Sequence, residues 1–373
     1  MNEKTWSGIQ TFIDRDLSLD KNDSVTIAFS SHCTESAAWL SVALDERKIT
    51  NTQVPFKEII DHDFPVRLKQ SQAKPPSFGG KYVVITLEES TLSHTTTIRR
   101  SLDDFATSNN VCIQIMGGNH FFFESVPYSP ASLLHKKNLT LLSHLVKEKN
   151  ISIQTESGTR LEVTLDNTKF DWICNSGLID DEKIVILPAG EIATYPANVN
   201  GVLIANYALH VNSPIEFPTN LNTTPVKIII ENSVAKSWYC ENLDTQLFLN
   251  EYFEENLARN VGELGIGTNP GALYPTGTNS HLDERRCGVH IGFGQHNQEA
   301  NVSYNCGHHL DLICADGTIN CENGLAINLQ NFELLSVVDE HHFRSQDVFP
   351  VSESGTRSCC GTNSKSHVSC KTL

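Results

Sequence analysis

Between Asn260 and Asp311 the chain concentrates side chains able to hold metal ions or move protons: Glu263, Asp283, Glu284, His290, His296, His308, His309 and Asp311. Carboxylates and imidazoles are the ligands that borderline divalent metals prefer. Here they alternate with glycines and short apolar runs, in NVGELGIGTNPGA, LDERRCGVHIGFG and NCGHHLDLI. His309 and Asp311 flank Leu310, so on an extended strand both polar side chains share one face and Leu310 takes the other. His290 stands opposed in the same way to Val289 and Ile291. A strand that gathers polar side chains on one face needs a compensating partner there, and a metal ion is one. The simpler reading is that a strand histidine is hydrogen-bonded structure and that carboxylates beside glycines are turn residues. The density of candidates beside strand patterns brings the metal reading level with that one.

Those strands need a frame. VTIAFSS (Val25–Ser31) is a buried-strand pattern, and TESAAWLSVALDERK after it has apolar residues at helical spacing, with Thr34 as its N-cap. Lys81–Leu87 and Val111–Met116 are further strands, so the first half predicts a mostly parallel sheet covered by helices. Ser31-His32-Cys33 lies where the first strand turns into a helix, a place where α/β proteins bind ligands. A tight turn with a partly buried cysteine accounts for it better than a nucleophile does. Gly117-Gly118-Asn119-His120 is a loop without the fuller glycine signature of a phosphate cradle.

Past Lys147 strands dominate: Leu161–Leu165, Val202–Asn206, Lys227–Glu231, Val289–Phe293 and Leu310–Cys314. One long helix, Asp244–Arg259, leads into Asn260. Glu191, in ILPAGEIATYP, is by itself an ordinary loop or strand-start carboxylate. The expected organisation is an α/β sheet domain over residues 1–155 and an α+β metal-binding catalytic domain over 156–351. Residues 352–373, Ser/Gly/Thr-rich with Cys359, Cys360 and Cys370, are expected to form a loose tail. Those three thiols lack the paired spacing of a zinc site.

Composition narrows the partners. A chain of 373 residues with 39% hydrophobic content can bury sizeable cores, and a net charge of −16 argues against nucleic acid or an anionic membrane as main partner. No basic amphipathic leader is evident, and no apolar run approaches the ~20 residues of a membrane span. The 11 cysteines show no regular spacing, and a chain this large needs no disulfides, so reduced thiols and a cytoplasmic location are expected.

The order PAGEIATYP, GELGIGTNPGA, DERRCGVHIGFG, HLD resembles the aminopeptidase T family of metallopeptidases, most strongly over residues 155–320 and more faintly around SPASLLHKKNLTLLSHL. In that family two adjacent metal ions are held by two glutamates, two histidines, an aspartate and a tyrosine. The resemblance places the glutamates on Glu191 and Glu263, the histidines on His290 and His309, and the aspartate on Asp311. The tyrosine falls on Asn297, the one departure from the set. It implies a homodimeric hydrolase that removes N-terminal residues from short peptides by a water activated between two ions of zinc, cobalt or manganese. Glu263 or Asp311 would bridge the ions. Glu284 is the candidate catalytic residue, as general base or as a partner orienting His290.

Two alternatives stand beside this. The same fold family includes iron(II) dioxygenases that open dihydroxypyridine rings, with two histidines and one carboxylate on a single metal, a set matched by His290, His309 and Asp311. Those relatives have histidine at the position of Glu263, so keeping Glu191 and Glu263 favours the dinuclear arrangement. The other alternative is a peptide-binding protein on the same scaffold that turns nothing over.

Overall fold

The computed structural model describes residues 1–57, 61–71, 79–88, 110–179, 184–213, 215–298 and 300–335. Helix α1 (Glu3–Thr11) is capped by Asn2, whose side chain accepts from the Thr5 amide. Strands β1 (Ser24–Phe29), β2 (Thr50–Pro55), β3 (Tyr82–Glu88) and β4 (Asn110–Met116) follow, interleaved with α2 (Thr34–Glu46) and α3 (Phe64–Gln70). They pair in parallel in the order β2-β1-β3-β4. Alternation sorts their side chains. Val25, Ile27, Val83 and Ile85 pack with Ile9, Leu40 and Leu44 on one side, while Ala28, Tyr82 and Val84 meet Phe64 and Leu68 on the other. Such double coverage is what a parallel sheet requires. In the turn after β1, Cys33 is buried and occupies the cap position of α2, while Thr34 begins the helix and donates its hydroxyl to the Ser31 carbonyl at 2.7 Å. The helix cap expected at Thr34 therefore lies one residue earlier.

Helices α4 (His120–Ser125) and α5 (Ala131–Leu145) lead into a strand-rich region. It contains β5 (Asn150–Gln154), β6 (Arg160–Thr164), β7 (Trp172–Asn175), β8 (Ile184–Leu187), β9 (Glu191–Thr194), β10 (Asn198–Ala205) and β11 (Ala208–Val211). Then come β12 (Val226–Glu231), β13 (Val234–Tyr239), α6 (Leu243–Tyr252), β14 (Val261–Gly267), α7 (His281–Glu284), β15 (Gly288–Gly294), β16 (His309–Ile313), β17 (Thr318–Cys321) and β18 (Ala326–Asn328). Two antiparallel sheets result, ordered β13-β12-β10-β6-β5-β17-β18 and β11-β16-β15-β14-β9-β7. They share one core, in which Ile153, Val163, Leu203 and Ile228 of the first meet Leu264, Ile291, Phe293 and Leu310 of the second.

Two findings differ from the expected outline. β8 lies well past residue 155 yet pairs with β4 as the fifth strand of the parallel sheet, so the chain crosses back before returning to the antiparallel region at β9. The helix expected over Asp244–Arg259 stops at Tyr252. Leu257 adopts a left-handed φ of 67°, and the Arg259 side chain bonds the Phe253 carbonyl at 2.6 Å, so the chain folds back before entering β14.

The described cysteines are all buried, and none of them is in a disulfide. No helix of the described residues is long and apolar enough to cross a membrane. The segment from Ser352 on lies outside the described residues.

Candidate metal centre

Pairing register across the six-stranded sheet assembles the site. His210 on β11 stands opposite Asp311 on β16, Asp311 opposite Gly292 on β15, and Gly292 opposite Glu263 on β14. These residues form one row on the face turned away from the shared core. On the same face, His290 pairs with Gly265 and Glu191 pairs with Gly267. Each polar residue alternates with core residues, since Val289, Ile291, Leu310, Leu264 and Ile192 are all buried on the other side.

Bare glycines make the floor. A Cβ on Gly292 would come within 2.9 Å of both the Asp311 carboxylate and the His309 ring. A Cβ on Gly265 would collide with the His290 ring, and one on Gly267 with the backbone of residues 284–286. Glycine inside a strand loosens it, and here it leaves room for site side chains and for the segment lying across them.

Glu191 enters from a braced turn. Gly190 takes a φ of 104°, open to glycine, and Asn269 fills the space beside it while donating to the Ala189 carbonyl at 2.8 Å. Asn138 of α5 donates to the Glu191 carbonyl at 3.0 Å.

Two groups of donors share one carboxylate. Glu191, Glu263 and His290 offer ligand atoms within 4.8 Å of one another, and so do Glu263, His309 and Asp311. His290 Nε2 lies 3.0 Å from Glu191 Oε1 and 3.6 Å from Glu263 Oε1, while His309 Nε2 lies 3.0 Å from Asp311 Oδ2. All five are buried. Glu191 Oε1 and His290 Nε2 meet each other only as an ion pair, and Asp311 Oδ1 makes no hydrogen bond, an arrangement that costs stability unless a cation meets them. The Nδ1 of His309 sits 3.0 Å from the Gln295 carbonyl. Donating its proton there leaves the Nε2 lone pair directed at the group. The residues therefore fit divalent ions of the imidazole- and carboxylate-binding class.

Charge is finely balanced. Burial disfavours the His290 imidazolium, but Glu191 and Glu263 beside it hold its pKa well above the ordinary value. Burial raises Glu263, only partly offset by His290 and His309. Burial opposes charge on His309 too, yet Asp311 pushes it up to about 10. Asp311 moves the other way, burial being outweighed by His309 so that its pKa falls to about 2.

A second cluster abuts the first. Glu284 contacts His210 Nδ1 through one oxygen and lies 2.9 Å from His281 Nδ1 through the other, and His210 Nδ1 is 3.5 Å from Asp311 Oδ2. Burial works against the Glu284 charge, but the two imidazoles hold its pKa well below the usual range. Arg285 closes the circuit. Its guanidinium pairs with Glu191 Oε2, stands 3.5 Å from Glu284 and donates to the Pro188 carbonyl at 3.0 Å. Neighbouring Asp283 bonds the Thr276 amide and hydroxyl, and burial pushes its pKa up to about 7.

The residues singled out in the sequence thus separate. Glu191, Glu263, His290, His309 and Asp311 converge. Glu284, expected as general base or as a partner orienting His290, lies against His210 and His281, because α7 lies across Gly267 and aims it toward β11. His290 and the pair His309–Asp311 fall in different donor groups. His296 turns away to the Tyr304 carbonyl at 2.9 Å, and His308 stands 3.9 Å from Glu255. Asn297 is buried, accepting from the Gln298 side chain at 2.7 Å, with its Nδ2 unpartnered. The sequence reading missed His210, His281 and Arg285. The alternation in Leu209-His210-Val211, the same that exposed His290, carried a signal for the first.

No protein-family model and no curated protein sequence matches the chain. Solved structures do. The 2,5-dihydroxypyridine dioxygenase of Pseudomonas putida KT2440 superposes with a TM-score of 0.58 at 12% identity, covering 89% of this chain and 97% of that one. Wild-type AmpT of Thermus thermophilus superposes with a TM-score of 0.51 at 14% identity, covering 87% of this chain and 97% of that one. The chain shares the fold of these two enzymes.

Proposed function

We propose that the chain is a metal-dependent hydrolase that removes N-terminal residues from short peptides with the help of two divalent ions. The observation that carries this reading is the position of Glu263, whose carboxylate belongs to both donor groups at once. A shared carboxylate is what fixes two ions at the short separation that dinuclear hydrolases use. When bound, such a pair supplies an activated water at neutral pH and polarises a carbonyl oxygen.

The chain's own residues account for the rest. Arg285 occupies Glu191 Oε2 and leaves Oε1 facing His290, so Glu191 serves with one oxygen. Gln295 fixes the tautomer of His309 through its carbonyl. Glu284, held by His210 and His281, keeps its charge next to Asp311 and acts as a positioning residue for that side of the site. Burial of every group keeps water out and the local dielectric low, which strengthens each electrostatic contact.

The test is metal content and turnover measured together on protein purified without chelators. Release of N-terminal residues from short peptides, abolished by chelation and restored by zinc, cobalt or manganese, is the expected result. Full metal loading without cleavage of any peptide would sink the proposal. Oxygen consumption with a dihydroxypyridine and ferrous iron would replace it with ring-opening dioxygenation.

A further inference from the structure

We infer that the chain holds a third divalent cation, bound by His210, His281 and Glu284 on the opposite side of Asp311 from Glu263. The two groups described above take no ligand from these residues, and the inference does not depend on the peptides the protein acts on.

The donor set comes first. One ligand atom from each of His210, His281 and Glu284 lies within 4.8 Å of the other two. Two imidazoles and a carboxylate are a set that borderline metals such as zinc accept, with a position left for water or a fourth ligand. His281 and Glu284 stand three residues apart on α7, which puts them side by side on one flank of that single turn. His210 arrives from β11, directly across from Asp311.

The frame holding the three residues is rigid. Asn279 bonds both backbone groups of Val211, accepting from its amide at 2.8 Å and donating to its carbonyl at 2.7 Å. That clasp ties the lead-in of α7 to the strand carrying His210. Ser280 caps α7 by accepting from the Leu282 amide at 3.2 Å. The floor below, Gly267, admits the backbone of this segment because it has no side chain.

Unpartnered atoms are the second observation. Nε2 of His210 makes no hydrogen bond, although the residue is 0% exposed, while Nδ1 of the same ring faces Glu284 Oε1. A purely structural histidine–carboxylate–histidine brace would satisfy its buried atoms within itself or against neighbours. This one leaves His210 Nε2 open, and Oδ1 of the adjoining Asp311 is also unpartnered. His210 Nδ1 stands 3.5 Å from Asp311 Oδ2, so the aspartate separates this group from the pair sharing Glu263.

The full chain, purified without chelators, is loaded with zinc, desalted and counted by elemental analysis, and its metal-free form is titrated with cobalt(II) followed by visible absorption. The expected native count is one ion for each of the three donor groups. His281→Ala should lose one equivalent and the matching part of the cobalt spectrum while keeping the other two. Glu263→Gln should lose ions from the first two groups and keep the third. A native count of two, or a His281→Ala count equal to the native one, overturns the third site and leaves the hydrolase reading standing. A native count of zero overturns both. Should His281→Ala not fold by circular dichroism, the native count decides alone.

Discussion

The ring of His290 fills the space that a Cβ on Gly265 would need. The two residues face each other across β14 and β15, so the absence of a side chain on one strand positions the imidazole on the next. Gly292 does the same for Glu263, His309 and Asp311. Gly265→Ala should push His290 out of line with Glu191 and Glu263. Overpacking of this kind costs about 1–3 kcal/mol, and the metal held by His290 should be weakened more than the one held by His309. Chemical denaturation and metal counts check this. Unchanged stability together with unchanged metal content would show that the glycine floor is not needed.

The same glycines explain what was legible in the sequence. β1, β3 and β4 are apolar runs between turn signals, and their outlines are readable to within a residue or two. GELGIG is hard to read as a strand because three glycines dilute its apolar character, although every residue of β14 is buried. The five converging residues lie on four strands brought together by antiparallel register, and local pattern indicates a face but not a neighbour. Their convergence was legible only through the order of the motifs. Arg285 was beyond reach for that reason, its partner Glu191 being distant in sequence, whereas the strand alternation around His210 and the three-residue spacing of His281 and Glu284 were there to be read. The early end of α6 follows from backbone reversal at Leu257, which the polar, helix-favouring residues around it do not announce.

Glu263→Gln tests the shared carboxylate. The amide keeps the shape and removes the charge, and the buried position already penalises that charge in the metal-free protein. Folding should therefore survive, with a melting temperature equal to or above that of the chelated native protein. Metal content should fall for both groups at once, not for one. Full occupancy in the variant would mean that Glu263 holds no metal.

Proton linkage gives a prediction with a definite sign. Asp311, pulled down to about 2, adds stability above its ordinary value of 3.8 that is lost as the pH falls toward 2. His309, pushed up to about 10, adds stability that is complete below 6.5 and is lost as the pH rises toward 10. The metal-free pair therefore contributes fully between 3.8 and 6.5 and fades from there to about 10. Metal binding requires His309 to release its proton, so affinity should rise across the same upper window. The gap in melting temperature between metal-loaded and chelated protein should widen from pH 6.5 to 10. A gap that stays constant would place the metal away from His309.

Asn297 should limit how well the site works. It is buried, with one amide atom engaged by Gln298 and the other unpartnered. In the aminopeptidase T resemblance a tyrosine stands here, whose phenolic oxygen can reach a metal or a developing oxyanion. An asparagine amide is shorter and a weaker ligand, so one ion should be held loosely and turnover should depend strongly on added cobalt, zinc or manganese. Loss of one transition-state donor typically costs a factor on the order of 10²–10³ in rate. Asn297→Tyr should recover part of that factor and lower the metal concentration needed for half-maximal activity. Gln298 keeps its bonds to the amide and carbonyl of Asp171, at 2.8 and 3.0 Å, so the loop has an anchor that does not rely on the asparagine. Peptide release by the native protein and the variant, at saturating and limiting metal, makes the measurement. If both fold and bind metal and peptides yet neither cleaves any, the chain is a peptide-binding protein on a hydrolase scaffold.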